Sequence, residues 1–570
     1  MRYAVNPVMR SCVLLILLFD VSCVPARSQT DSRPLVQIDS GTLAGAHFGT
    51  APDEVMFLGI PYAAAPTGEQ RWKPPQPVEK WPGTRKANAY GGVCPEPEDP
   101  DQDEITKEMV RVDPYYTYRT DEDCLYLNVW TTNLPADHPA AKKLPVMFWI
   151  HGSNQTGQSL PFGPTLARKG VVLVTTNYRV EALGWLSHPA LTAESPHHAS
   201  GNYGILDLIA GLQWVQRNIP QFGGDPANVT IFGESSGGMM VCFLMSSPLA
   251  RGLFERGILE SLGCADTITP ELKNFSHYEG GVGTAEENGL RLMRDLNIPN
   301  GPEALAKLRG KTAKEILDAS DRDRTVTFDI ESTIDGWVLP EQPATTFAQG
   351  RQAHVPVIVG SNADEGTTVI EETLHGPPTL ANYKAFLKSE FVNDADADEI
   401  FHMYPATNDA EARAAFIAFD TDYEFGNSVR VIARDTALVG QKAWFYYFSY
   451  PARANFYADK GAFHGMELKF LTGWFYPSHW GNPNAEDKKL VDLMTGYWTQ
   501  FAKTGDPNGP GLPPWPVYDP KADLVLEIGH EVKLRPAPHA DRFAVFERSL
   551  NGRLASIPKS SQVPATTPQK

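Results

Sequence analysis

Short apolar runs alternate with stretches of helical periodicity along most of the 570 residues. Runs rich in Val, Ile, Phe and Trp predict buried strands at 144–150, 171–177, 229–232, 355–360 and 443–450. Apolar residues spaced three or four apart predict helices at 204–218, 236–245, 284–296, 304–319 and 410–416. Because strands and helices alternate, the pattern favours the α/β class, in which helices cover a largely parallel sheet.

The first 26 residues have the pattern of a signal peptide rather than of a folded segment. Two arginines precede a short apolar run at 13–19, and a small-residue cleavage site (Val-Pro-Ala) follows at 24–26. The apolar run is too short to cross a bilayer, so we predict that residues 1–26 are a cleaved leader. The alternatives are an ordinary disordered N-terminus and a lipid anchor on Cys23.

The composition of the rest of the chain is that of an ordinary globular protein. Hydrophobic residues make up 42% and charged residues 21%, which excludes a disordered or fibrous chain and permits a large core. The formal net charge of −18 repels a polyanion, so we expect no nucleic-acid partner. No run after the leader has the length and apolarity of a membrane span. Residues 555–570 are rich in Ser, Thr and Pro and predict a disordered tail.

The pattern Gly-x-Ser-x-Gly occurs at 233–237, directly after a predicted strand and before a predicted helix. A nucleophilic serine of this kind lies on a very sharp strand-to-helix turn, and Gly233 and Gly237 let the two elements pass closely. The N-terminus of the following helix favours developing negative charge. We therefore predict that Ser235 is an exposed nucleophile. The alternative is a solvated serine in a glycine-rich turn.

Several segments on both sides of this serine resemble one known family. They are FLGIPYA at 57–63, EDCLYLN at 122–128, NYR at 177–179, GNYG at 201–204, QWV at 213–215, FGGDP at 222–226, DG at 335–336, FAKTGDP at 501–507 and WP at 515–516. Together with GESSGG at the serine, they are similar to the type-B carboxylesterases, the cholinesterase-like branch of the α/β-hydrolases. The resemblance implies a single catalytic domain, which we place at 27–554. It also implies the α/β-hydrolase fold, with a large, mostly parallel, twisted central sheet and helices on both faces.

The same resemblance implies an acid and a base for the serine. A serine hydroxyl at its ordinary pKa needs a base, and the base needs an orienting acid; in α/β-hydrolases these follow the serine in the order acid, then histidine. The segment SNADEG at 361–366 directly follows a predicted strand and resembles the acid loop, which implies Glu365, with Asp364 as the alternative. The segment FHGMEL at 463–468 resembles the histidine loop, which implies His464.

The oxyanion loop departs from the family pattern. The family carries a glycine run at this point, whereas this chain has Ser153 and Asn154. The resemblance implies that the backbone N–H groups of Ser153, Asn154 and Ser236 bind the oxyanion; Ser236 stands where alanine is common. Since a lost donor costs roughly 3–4 kcal/mol in the barrier, two interpretations follow. Either the loop keeps its shape and the side chains narrow or polarise the acyl pocket, or the oxyanion hole is degraded.

Six cysteines are too few for disulfides to define a fold of this size, although disulfides can stabilise parts of it. Export would place them in an oxidising compartment, and the resemblance implies a disulfide between Cys94 and Cys124 that closes a loop beside the pocket mouth. The tyrosine-rich end of that loop predicts either a rim that contacts substrate or tyrosines packed on the body. Cys242 and Cys264 are expected to be free and buried, with a bridge between them as the alternative. A further hypothesis is an apolar gorge lined by Trp185, Trp474, Phe475, Tyr476 and Trp480.

The residues and the resemblance together predict a secreted or periplasmic serine carboxylesterase. It would hydrolyse a small-molecule ester through Ser235, His464 and Glu365 and an acyl-enzyme. No cofactor and no metal is expected, since the sequence has no Cys/His cluster with metal-ligand spacing and no phosphate-binding loop. One alternative is a hydrolase of a bulky polar ester, a lactone or an amide. The alternative of another class is an inactive, cholinesterase-like binding or adhesion protein, which the complete set of three residues disfavours.

Overall fold

Strands and helices alternate along the chain in the computed structural model, as the apolar pattern predicts. The structure describes residues 33–97, 115–116, 119–135, 142–153, 162–273, 276–278, 281–320, 332–374, 376–391, 393–453, 458–475 and 482–557. The strands are β1 (Leu35–Ile38), β2 (Gly41–Ala44), β3 (Ala46–His47), β4 (Val55–Pro61), β5 (Thr84–Lys86), β6 (Tyr126–Thr131), β7 (Leu144–Ile150), β8 (Val172–Thr176), β9 (Gly224–Glu234), β10 (Arg256–Glu260), β11 (Ser276–Tyr278), β12 (Gly281–Gly283), β13 (Val357–Asn362), β14 (Ala443–Phe448), β15 (Leu524–Ile528) and β16 (Val532–Pro536).

The α-helices lie mostly between the parallel strands and after them. They are α1 (Phe162–Ala167), α2 (Glu181–Trp185), α3 (Pro189–Glu194), α4 (Tyr203–Asn218), α5 (Ser236–Ser246), α6 (Ala285–Asp295), α7 (Ala304–Arg309), α8 (Ala313–Ser320), α9 (Pro343–Ala348), α10 (Gly366–Thr373), α11 (Leu380–Glu390), α12 (Asp394–Met403), α13 (Asp409–Asp420), α14 (Asn427–Leu438), α15 (Leu468–Thr472), α16 (Ala485–Thr504) and α17 (Phe543–Ser556). A π-helical segment, Thr421–Gly426, joins α13 to α14.

A mixed sheet of eleven strands forms the centre of the described chain, in the order β16-β15-β14-β13-β10-β9-β7-β8-β6-β4-β3. All neighbouring pairs from β15 through β8 are parallel, whereas the pairs towards either end are antiparallel. The carboxyl ends of β7, β9, β13 and β14 therefore meet at one edge of the sheet, where α/β proteins bind their ligands. The predicted fold class is confirmed.

Both faces of the central strands are buried, which is why their sequences are continuous apolar runs. In β7, Phe148 and Ile150 belong to the apolar cluster on one face of the sheet. Met147 and Trp149 point to the opposite face and belong to a second cluster. Helices cover both clusters, so the sheet forms the middle layer of the fold.

One predicted helix, at 304–319, is in fact two. Helix α7 ends at Arg309, followed by Gly310, and α8 begins at Ala313. The Thr312 hydroxyl accepts a hydrogen bond from the Glu315 N–H, and the Glu315 carboxylate accepts one from the Thr312 N–H. This reciprocal cap starts a new helix, so the apolar periodicity continues across a break in the backbone.

Two disulfides occur in the described chain. Cys94 and Cys124 are joined as expected. Cys242 and Cys264 are also joined, so the expectation that they are free thiols is wrong. Their sequence separation of 22 residues contains β10, which lies parallel to β9 and carries the chain back beside α5. That return is a tertiary effect, and the spacing alone does not reveal it.

The ends of the chain are only partly described. The predicted leader at 1–26 lies outside the described residues, as does the tail from 558 onward. Helix α17 continues through Ser556, so residues 555 and 556 of the predicted tail are helical. From Pro34 the described chain forms one compact unit. Within it, no helix combines the length and apolarity that a membrane crossing requires.

A buried ion pair connects the segment after β8 to α4. The Arg179 guanidinium donates two hydrogen bonds of 2.8 Å to the two carboxylate oxygens of Asp207, and the Arg179 backbone N–H donates a third. The side chains are only 4% and 0% exposed. Removing one partner of such a pair leaves an uncompensated charge in the interior.

We predict that Asp207→Asn lowers the free energy of unfolding by about 3–5 kcal/mol, because the Arg179 charge loses its buried counter-ion. Urea denaturation followed by tryptophan fluorescence measures this loss. Asp318→Asn is the matched control, since Asp318 pairs with Lys314 on the surface and should leave the midpoint unchanged. Equal midpoints for Asp207→Asn and the wild type would contradict the prediction.

Candidate active site

Ser235 lies at the turn between β9 and α5. Its backbone φ of 57° is rare for a residue with a side chain, so the turn is strained. A Cβ on Gly233 would lie 2.5 Å from backbone atoms of Gly237, and one on Gly237 would lie 2.2 Å from the Ile150 carbonyl oxygen. Both positions therefore require glycine. The Ser235 N–H donates to the Glu260 carbonyl on β10, at 2.9 Å, which fastens the turn to the sheet.

Glu365 follows β13 and is fully buried. One carboxylate oxygen accepts a hydrogen bond from the Asn362 N–H at 2.6 Å, and the other lies 2.7 Å from His464 Nδ1. The neighbouring Asp364 instead accepts a hydrogen bond from the Ala462 N–H at 2.8 Å. Of the two acids that the sequence offers, the structure thus brings Glu365 to the imidazole, whereas Asp364 holds the backbone of the histidine loop.

The His464 imidazole faces the turn that carries Ser235. The Phe425 ring from the π-helical segment packs against it, with ring centroids 4.8 Å apart. His464 Nε2 lies 3.4 Å from Oε1 of Glu234, the residue directly before Ser235. Within the described chain no hydrogen bond joins Ser235 Oγ to the imidazole. The structure therefore places the predicted base next to the turn that carries Ser235, with Nε2 directed at the Glu234 carboxylate.

Three buried carboxylates control the charge of this imidazole. Burial by itself disfavours the imidazolium, but Glu234, Glu365 and Glu467 outweigh it and raise the pKa of His464 to about 10. Glu467 is itself affected, because burial and then the charge of Glu234 raise its pKa to about 8. Asn362 Nδ2 donates to Glu467 at 2.5 Å. The site therefore stabilises a positive charge on His464 strongly.

His151 directly follows β7 and opens the loop that is predicted to form the oxyanion hole. It is buried and stacks on Tyr178 with ring centroids 4.4 Å apart, and the Tyr178 hydroxyl donates to the His151 carbonyl at 2.8 Å. Burial lowers the pKa of His151 to about 4. The residue is consequently neutral near pH 7 and adds no charge to the site.

The next residues bring the loop against the nucleophile turn. A Cβ on Gly152 would lie 2.8 Å from the Glu234 carbonyl oxygen and 3.2 Å from Ser235 Cβ. Ser153 Oγ lies 2.6 Å from Ser236 Oγ, so two of the predicted oxyanion residues are in contact through their side chains. The third, Asn154, lies outside the described residues.

Sequence reasoning assigned no role to three residues that contact the histidine or its acid. Glu234 and Asn362 lie inside the serine and acid motifs quoted above. The sequence therefore marks their positions, but it does not reveal which side chains they contact. Phe425 comes from the π-helical segment, which no motif marks. Only its packing against the imidazole identifies it.

The aromatic residues predicted to line a gorge have mixed surroundings. Trp185 is half-buried, with its ring 6.5 Å from that of Tyr178. Trp474 and Phe475 are also half-buried, and Phe475 packs edge-on against the core residue Phe470 at 5.5 Å. The remaining two positions lie outside the described residues: Tyr476 and Trp480. The gorge stays a prediction.

The tyrosines near the end of the loop closed by Cys94 and Cys124 pack on the body of the protein where they are described. Tyr116 is buried, and its ring lies 6.2 Å from that of Tyr90. Tyr115 packs against the edge of an apolar cluster. For these two residues the packing interpretation fits better than a rim that contacts substrate.

The chemistry of this arrangement is that of acyl transfer. A hydroxyl on a strained turn, an imidazole held by a carboxylate and N–H donors at a helix N-terminus are its usual parts. Over the described ranges, no three His, Cys, Asp or Glu side chains are grouped so that they could hold a metal ion. A serine at a strand-to-helix turn of a mixed parallel sheet is typical of the α/β-hydrolase fold.

Comparison with known proteins agrees with this fold. The sequence model of the carboxylesterase family matches residues 32–546. A fumonisin B1 esterase of Sphingopyxis macrogoltabida is 34% identical, over 92% of this chain and 91% of the relative. A liver carboxylesterase of Sus scrofa is 31% identical, over 93% and 95%. A solved PNB esterase structure superimposes with a TM-score of 0.74 at 29% identity, over 90% of this chain and 99% of the other.

The sheet order and the structural match define an α/β-hydrolase esterase. The chain belongs to the carboxylesterase family, and the predicted resemblance is confirmed. It is a carboxylic ester hydrolase, and the members of its family act on small ester substrates.

Proposed function

We propose that this carboxylesterase uses Ser235 as nucleophile, His464 as base and Glu365 as the orienting acid. One observation carries the proposal: the imidazole stands between two carboxylates, with Nδ1 2.7 Å from Glu365 and Nε2 3.4 Å from Glu234. Since Glu234 directly precedes Ser235, the nitrogen that contacts Glu234 lies beside the strained turn.

The proposed reaction has two acyl-transfer steps. His464 takes the hydroxyl proton as Ser235 Oγ attacks the ester carbonyl carbon, and then gives that proton to the leaving alcohol. His464 then takes a proton from water as the water oxygen attacks the acyl carbon, and it returns that proton to Ser235 Oγ as the bond between Oγ and the acyl carbon breaks and the carboxylic acid leaves. The oxyanion of each tetrahedral intermediate accepts hydrogen bonds from the N–H groups of Ser153, Asn154 and Ser236. Ser236 begins α5, where backbone N–H groups lack intrahelical partners.

The proton transfer requires a hydrogen bond between Ser235 Oγ and His464 Nε2, which the free protein lacks in its described part. Catalytic hydrogen bonds of free enzymes often shorten only when substrate binds. Glu365 already fixes Nδ1, so the nitrogen that has to receive the proton is determined before binding.

We also propose that the protein is exported and is either secreted or periplasmic. The leader at 1–26 would be removed, the catalytic domain would run from residue 27 through the end of α17, and the tail would follow Ser556. Two disulfides in the described chain support export, because such bonds persist in oxidising compartments.

A second candidate function is hydrolysis of a bulky polar ester. Two observations favour it. The exposed Ser153 hydroxyl lies beside the nucleophile turn, where it can bind a polar acyl group. One relative that covers nearly the whole chain is named for fumonisin B1. This candidate keeps the same mechanism and differs in the substrate.

We predict that Ser235→Ala reduces turnover of p-nitrophenyl butyrate by at least roughly 10⁴-fold, as loss of a nucleophile does in other serine hydrolases. A fluorophosphonate should label the wild type on the peptide that contains Ser235, as mass spectrometry can show. Ser389→Ala, at an exposed serine, is the control and should behave as wild type. Equal rates in wild type and Ser235→Ala, or no turnover in either, would favour the binding-protein alternative.

We predict that Glu234→Gln shifts the rising acid limb of the pH profile of kcat/KM to lower pH. The active base is the neutral imidazole. Wild-type Glu234 raises the pKa of His464 and so moves the limb to higher pH; removal of a charge this close shifts a pKa by roughly 1–3 units. Glu79→Gln, at an exposed position, is the control. A limb that stays in place or moves upward would contradict the assigned role of Glu234.

For the second candidate, we predict that kcat/KM for fumonisin B1 equals or exceeds that for p-nitrophenyl butyrate, because the polar loop gains hydrogen bonds only with a polar substrate. Product release followed by liquid chromatography and mass spectrometry measures it, with Ser235→Ala as the blank. Turnover of the simple ester without any of fumonisin B1 would exclude that substrate.

A further inference from the structure

Two hydroxyls meet between the oxyanion loop and the helix that follows the nucleophile. Ser153 Oγ and Ser236 Oγ lie 2.6 Å apart, although the residues are 83 positions apart in the chain. Ser153 is exposed and Ser236 half-buried, so the pair borders the accessible side of the site. Across the described residues, neither hydroxyl makes another hydrogen bond.

The backbone around the pair is already in place. Gly152 touches the nucleophile turn, since a Cβ there would lie 2.8 Å from the Glu234 carbonyl oxygen. Ser153 is not among the described non-glycine residues with positive φ, so its side chain is accommodated without backbone strain. The hydrogen bond between the two hydroxyls therefore extends the contact that Gly152 makes with the turn by one residue. Glycine at 153 or alanine at 236, the residues that the resemblance leads one to expect there, could not form it.

We infer that the bond between the Ser153 and Ser236 hydroxyls is a brace that sets the spacing of the oxyanion donors. The inference rests on the proposed function, in which the N–H groups of the same two residues bind the oxyanion. Because each hydroxyl belongs to a residue that supplies a donor, the bond fixes one donor relative to the other. Donors fixed in advance stabilise the transition state most, since they need not reorient during the reaction.

In this inference the two side chains are positioning residues. Their loss should change the kinetic constants in a different way from the loss of residues that line the substrate pocket. A group that contacts substrate equally before and during the reaction changes KM. A brace of the oxyanion donors acts when the tetrahedral intermediate forms, so its loss lowers kcat and weakens the binding of tetrahedral analogues. Because both residues serve a single bond, losing either one removes all of its effect.

The experiment compares Ser153→Ala, Ser236→Ala and the double variant, with p-nitrophenyl butyrate as substrate and an alkyl trifluoromethyl ketone as the tetrahedral analogue. Each single variant should lower kcat and weaken inhibition by about 3- to 10-fold, the range that one net hydrogen bond implies. The double variant should lose no more than either single variant, because the second hydroxyl has no bond left to lose. KM and Tm should stay close to the wild-type values.

Two further variants separate a brace from a general effect on packing. Ser236→Thr keeps the hydroxyl and should restore most of the kcat that Ser236→Ala loses. Thr192 and Ser200 form a comparable hydroxyl pair, 2.8 Å apart and buried outside the site. Thr192→Val should lower Tm and leave kcat unchanged.

Losses that multiply in the double variant, or unchanged kcat and inhibition in both single variants, would overturn the brace. Changes confined to KM or Tm, or a Ser236→Thr variant as slow as Ser236→Ala, would overturn it as well. With turnover that still depends on Ser235, these results leave the proposed function intact. A wild-type protein without esterase turnover would overturn both.

Discussion

The reversal of the chain at Ser235 is the constraint on which the rest of the site depends. A residue with a side chain at positive φ costs of order 1–3 kcal/mol and persists only where its surroundings hold it. Here β9 is paired on both sides, with β7 and β10, and glycines let α5 start directly against the end of β7. The orientation of the serine is thus set by the most deeply buried part of the sheet, whereas the imidazole is supplied by a loop that must be positioned separately.

The charge of the imidazole on that loop is controlled by the buried carboxylates around it. Burying several carboxylates beside one imidazole is costly unless the imidazole becomes positive, which is the charge that proton transfer from a serine creates. In the resting enzyme the same carboxylates lower activity, because they favour the protonated imidazole, and a protonated imidazole cannot accept a proton. Glu467 belongs to the same group of charges, because burial and then the charge of Glu234 raise its own pKa to about 8. The combined charge of these carboxylates sets the pH above which the imidazole is deprotonated.

The sequence predicts features that depend on neighbouring residues, and it misses those that depend on contacts between distant parts of the chain. The strand at Leu144–Ile150 was predictable because burial on both faces makes it continuously apolar, and the serine turn because its glycines are sterically required. The break after Gly310 was missed because capping side chains outweigh an uninterrupted apolar period. The Cys242–Cys264 bridge and the contact of Phe425 with the imidazole depend on how distant elements pack, which spacing does not encode. The acid and the histidine were found through family resemblance, not through periodicity.

The positions of the two disulfides along the chain have a consequence for how the enzyme matures. Both bridges close within the first 264 residues, and the strands that carry the nucleophile and the oxyanion loop also lie in this part. Glu365 and His464 come later, after strands that pair with β10 and with each other. Because synthesis runs from the N-terminus, both cross-links can form before the proposed acid and base are synthesised. A nascent chain would then carry Ser235 in a disulfide-linked but inactive N-terminal part until β13 and β14 join the sheet.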